Sequence, residues 1–124
     1  MNQERRKEVE HIIDDLQKMI VECNLQLEGG HPKYTTMQAW LKAGGDLSDK
    51  ISDLLTEEQG AALRDSTTSD RERRDHSDLL ESSGNLESAL DNVNDAVDAL
   101  GSEDYEDARR RLNDTVEDLR KAMS

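Results

Sequence analysis

A chain of 124 residues with a single cysteine has room for one domain and none for an internal disulfide. Its 29 acidic residues against 16 basic ones leave a formal net charge of −13, which argues against direct binding of DNA or RNA, and no apolar run is long enough to span a bilayer. Hydrophobic residues make up 33% of the chain and phenylalanine is absent, so the sequence supplies little bulk for a core and points to a homodimer that completes it.

The opening "MNQERRKEVEH" lacks the hydrophobic stretch of a signal peptide, which leads us to expect a cytoplasmic protein. From there Val9, Ile13, Leu16, Ile20, Cys23 and Leu27 recur at alternating steps of four and three, with Ile12 and Met19 widening the stripe. That spacing predicts an amphipathic helix over residues 3–28. Cys23 falls on the stripe, so a buried, inert thiol is expected. Gly29 and Gly30 end the helix and Pro32 prevents its resumption.

Residues 31–65 read as a short-helix insertion. Thr35 with Gln38 matches a capping box, Met37, Trp40 and Leu41 supply an apolar side, and Gly44-Gly45 closes a short helix. Asp46 or Ser48 then caps the set Leu47, Ile51, Leu54 and Leu55, and Thr56 with Gln59 repeats the box. Trp40 is expected either to anchor the short helix on the long ones or to stand exposed as a binding residue, and burial habit favours the anchor.

A polar loop is predicted at 66–70, and Ser69 with Glu72 opens a helix over 70–100. Gly84 does not break it, because Leu79 and Leu86 keep the apolar phase seven residues apart. Gly101 stops that helix, Ser102 caps the next, and Tyr105, Ala108, Leu112, Val116, Leu119 and Met123 give the core face of a helix over 103–123. The expected fold is an all-α single domain over 1–124. It is a helical bundle of two or three long amphipathic helices with a short helical insertion and a C-terminal αα-hairpin, 70–100 with 103–123.

The stretch "NLESALDNVNDAVDAL" (85–100) places Glu87, Asp91, Asp95 and Asp98 about 135° around the helix from the leucine-valine stripe. No lysine or arginine occurs between Asp75 and Ala108. A surface helix normally intersperses cations, so this face is either a solvated surface or an electrostatic one that meets a basic partner. The candidate partner-binding residues are Glu87, Asp91, Asp95, Asp98, Glu103, Asp104, Glu106 and Asp107, with His31 and Trp40 from the inserted segment. The short clusters Arg5-Arg6-Lys7, Arg71-Arg73-Arg74 and Arg109-Arg110-Arg111 lack the interleaved aromatics of a single-strand binder and are expected to pair with neighbouring carboxylates.

Catalytic and metal motifs are weak, so no catalytic, cofactor or metal residue is expected. Asp91, Val93 and Asp95 imitate a calcium loop, but Val93 offers no oxygen and Ala96 replaces the turn glycine. His11, His31 and His76 have no His or Cys partner four residues away. Asp75-His76-Ser77 points in three directions. Glu103 with Glu106 and Asp95 with Asp98 resemble the magnesium-binding half-motifs of all-α nucleotide pyrophosphohydrolases, a spacing that arises freely in so acidic a chain.

"ERRKEVEHIIDDLQKM" (4–19), "LLTEEQGAAL" (54–63) and "SDRERRDHSDLLESSGNLESALDNVNDAVDAL" (69–100) resemble small acidic helical proteins of tailed phages and prophages. Against that pattern residues 26–53 look inserted. The resemblance carries no active site. It implies a phage origin and a role in inhibiting host defence or redirecting host machinery, inside the host bacterial cell. The expected function is therefore non-enzymatic: an acidic inhibitor or modulator of a host protein of the nucleic-acid-handling or defence kind, with no membrane or direct nucleic-acid contact. The alternative is an assembly accessory that acts by helical oligomerisation, and a pyrophosphohydrolase-like enzyme is third.

Overall fold

The computed structural model describes residues 3–31, 33–34, 36–65 and 70–123, and the side chains of the same residues outside 61–80. Four helices make up nearly all of it: α1 (Gln3–Leu27), α2 (Met37–Asp65), α3 (Asp70–Gly101) and α4 (Tyr105–Met123). Among the described residues there is no strand, so the fold is all-α. Each helix packs on two others, α3 on α2 and α4, and α1 mainly on α4 and lightly on α2. Cross-helix bonds fix the directions. Arg5 pairs with Glu58 and Lys50 lies 3.9 Å from Asp15. Ser48 meets Asn94 at 2.7 Å, and Ser88 meets Asp118 at 2.9 Å. Numbers rise on one partner as they fall on the other, so neighbours run antiparallel and the chain goes up, down, up and down.

The largest departure from the sequence reading is α2. It was expected as a short helix closed by Gly44-Gly45 and followed by a separately capped one; instead a single helix runs through both glycines and through Thr56. An ideal Cβ on Gly44 would lie 2.5 Å from Val97 Cγ2, so this glycine marks the close approach of α2 to α3 and not a stop. Trp40, Leu47, Ile51 and Leu54 are all buried, and their burial outweighs the roughly 1 kcal/mol that each glycine costs in a helix interior. The Thr56 hydroxyl donates back to the Ser52 carbonyl at 3.0 Å and caps nothing. At the real start the Thr36 hydroxyl accepts from Ala39 N–H at 3.2 Å, one residue beyond the expected cap, Thr35, which lies outside the described residues. Most of residues 31–65 thus form one of the four principal helices, and not a short one.

Helix ends follow two versions of one motif. At the end of α1, Gly29 takes the left-handed conformation (φ 78°), and Gly30 N–H reaches the Leu25 carbonyl at 2.6 Å. At the end of α3 the left-handed residue is Glu103 (φ 60°), with Asp104 N–H on the Ala99 carbonyl at 2.9 Å and Glu103 N–H on the Leu100 carbonyl at 3.0 Å. Gly101, the expected stop, is the last residue of α3. Asp104, and not Ser102, caps α4, its carboxylate accepting from Asp107 N–H at 3.1 Å. Positions 66–69, which hold the expected loop and the Ser69 cap, lie outside the described residues.

The core joins Val9, Ile12, Leu16, Met19 and Cys23 of α1 to Leu86, Val93 and Leu100 of α3 and to Leu112, Val116 and Leu119 of α4. Between them sit Ala89, Ala96, Ala99, Ala108 and Ala122, all buried. Small side chains let helix axes approach closely, which is how so few large residues enclose a core. The α1 stripe is packed into this core as far as Cys23, and its last member, Leu27, stands open. Among the described residues, Val21 and Leu27 are the large apolar side chains left exposed.

Candidate functional site

The acidic side of α3 is a ridge. Glu87, Asp91, Asp95 and Asp98 are exposed while Leu86, Val93 and Leu100 of the same helix are completely buried, so the 3.6-residue period separates the two faces as expected. Asp95 lies 3.7 Å from Arg111 of α4; Glu87, Asp91 and Asp98 make no ion pair with any described residue. The ridge continues into the α3–α4 turn, where Glu103, Asp104 and Glu106 are exposed and Asp107 is half-buried, paired with Arg110 at 2.5 Å.

The basic clusters are largely spoken for. Arg5 pairs with Glu58, Arg110 with Asp107 and Arg111 with Asp95, while Arg109 donates to the Asn24 side chain at 2.8 Å and ties α4 to α1. The side chains of Arg71, Arg73, Arg74, Asp75, His76 and Ser77 lie outside the described ones. No three His, Cys, Asp or Glu side chains are arranged to hold a metal ion among the described residues.

Trp40, one of the candidate contact residues, is 4% exposed and therefore not a surface contact. Its indole N–H donates to the Tyr34 carbonyl. Its ring meets Tyr34 edge-on at 6.0 Å and Tyr105 edge-on at 5.7 Å. The three aromatic residues of the chain thus meet at one end of the bundle, where Trp40 joins Tyr34 to Tyr105 at the start of α4. His31, by contrast, is exposed, beside Tyr34.

Two acids that pattern reading passed over lie inside. Glu58 is fully buried against Arg5, and Glu22 is 6% exposed; each has one carboxylate oxygen, Oε2, without a hydrogen-bond partner. Both sit in apolar register, Glu22 three residues after Met19 and Glu58 four after Leu54, and an acid on a core stripe was the signal available in the sequence. Burial raises the Glu22 pKa above its ordinary 4.5, and the backbone N–H and charge of Lys33 only partly offset this. The neighbouring Cys23 thiol, completely buried, is pushed up to about 12 by burial and then by the Glu22 charge. Tyr34 is raised too, first by burial and then by Glu22 and Asp15.

No protein-family model, curated protein or solved structure matches this chain.

Proposed function

We propose that this protein is a helical, non-enzymatic binding module that captures a basic protein partner through the ridge of α3 and the turn that follows it. In the setting suggested by the phage-like sequence pattern, that partner is a host protein of nucleic-acid handling or defence, whose arginine- and lysine-lined groove the ridge occupies. The observation that carries this reading is the absence of compensation: Glu87, Asp91 and Asp98 are exposed, lie on the side away from the core and pair with no described cation. Successive carboxylates four residues apart rise about 6 Å along the axis, a linear anionic array of the kind that steers association with a cationic groove.

Asp91 and Asp98 are the residues to reverse, because changing Asp95 would also break its pair with Arg111. Asp91→Lys with Asp98→Lys should leave helicity unchanged and slow association with the captured partner about tenfold or more at low salt. Capture from host lysate by wild type and variant, followed by association rates at two salt concentrations, checks it. A partner bound equally fast by both proteins, with the same salt dependence, would reduce the ridge to a solvated face.

A further inference from the structure

Outside the ridge, the most unusual group at an open surface is the Glu22 carboxylate. It lines a cleft of about 540 Å³ between α1 and the residues His31, Lys33 and Tyr34, alongside Lys18, Val21 and Leu25. Glu22 is 6% exposed, one of its oxygens has no partner, and neither lysine comes within ion-pair distance. The unsatisfied Oε2 is enclosed, so the residue meets the cleft through the rest of its carboxylate, and a cation there acts on the charge that the two oxygens share. The walls are apolar: Val21, 56% exposed, is one of the few large hydrophobic side chains open to water. Tyr34 adds an aromatic ring, held from behind by its edge contact with Trp40.

We infer that this cleft binds the side chain of an arginine presented by a protein partner, with the guanidinium on Glu22 and the aliphatic stem along Val21 and Leu25. A buried carboxylate with no ion pair favours a cation, and a planar one with several donors satisfies it more fully than an ammonium and also stacks on a tyrosine ring. Apolar walls suit a three-carbon stem. The chain's net charge of −13 favours approach of any cation. Burial of Glu22 works in the same direction, since an incoming cation relieves a charge that its surroundings disfavour. Lys33 is the local competitor, its charge acting on Glu22 from the rim. The cleft is on α1, which does not pack against α3, so it is tested apart from the ridge.

The probe is N-acetyl-arginine methylamide, with N-acetyl-norleucine methylamide as the uncharged control, titrated into the full chain. Tyr34 ring and Val21 methyl resonances and Trp40 emission are followed. The arginine probe should give saturable shifts, and the norleucine probe should bind at least about tenfold more weakly. Glu22→Gln keeps the shape and removes the charge, and should lose about tenfold in affinity for the arginine probe with a melting temperature at pH 7 equal to or above wild type. Should that variant not fold, Lys33→Ala decides: Lys33 is exposed, and its removal should tighten arginine binding several-fold. Equal responses to the two probes overturn the inference. So does undiminished binding by Glu22→Gln, binding by Lys33→Ala no tighter than wild type, or no saturable shift up to about 50 mM, well beyond the millimolar range expected of one side chain.

Discussion

Gly44 and Gly45 are neighbours in α2 with opposite surroundings. A methyl group on Gly44 would meet Val97 at 2.5 Å, whereas one on Gly45 would meet nothing within 4 Å. Gly44→Ala should therefore cost about 1–3 kcal/mol through overpacking, while Gly45→Ala should gain up to about 1 kcal/mol from helix propensity, both read from denaturant midpoints. Glu103 closes α3 in the left-handed region, a conformation that costs a residue with a Cβ more than it costs glycine, so Glu103→Gly should raise stability by about 0.5–1 kcal/mol in the same measurement. At Glu22 the sign depends on pH. Above its raised pKa the folded protein holds a charge that burial disfavours; as the pH falls toward the ordinary 4.5 the folded state takes up the proton first and the penalty fades. Glu22→Gln should be the more stable protein at pH 7, and its advantage should shrink steadily in melts taken toward pH 4.5. A reading that tallied only apolar positions along α1 and α2 passed over Glu22 and Glu58, although each interrupts a stripe where a leucine would be expected.

Among the elements, α1, α3 and α4 were legible because their apolar periods run long enough to outvote local exceptions; Gly84 inside α3 is such an exception, and the helix continues through it. The second helix was misread for the same reason in reverse. Its glycine pair and its Thr-x-x-Gln signals are local, whereas what keeps it whole is contact with a residue of α3 more than fifty positions away, which no window of sequence contains. Trp40 shows how this affects the candidate site: its place on an apolar helical side was legible, but its role as the keystone between Tyr34 and Tyr105 depends on packing across three segments. Trp40→Ala should cost about 3–5 kcal/mol by emptying that end of the bundle. The wild-type emission should be blue-shifted and poorly quenched by iodide, in keeping with 4% exposure; a red-shifted, readily quenched band would contradict the buried placement.

For the molecule as a whole, the acidic asymmetry was the most legible property, since helical period alone separates the Glu87–Asp98 ridge from the core. The way the core closes was not, because sparse bulk in a sequence does not say whether alanines will bring helices close together or a second copy will fill the gap. In this fold the alanines of α3 and α4 are buried between the helices. The order in which the helices pair has a consequence for how the chain comes into being. The first helix rests chiefly on the last, and only lightly on its successor. On the ribosome, α2 and α3 can zip together as soon as they emerge, but most of the stripe from Val9 to Cys23 stays uncovered until α4 has followed them out of the exit tunnel. Of the four helices, the earliest made is thus the latest sheltered, and a transcript truncated before Tyr105 would release a protein whose longest-lived apolar surface is that of α1.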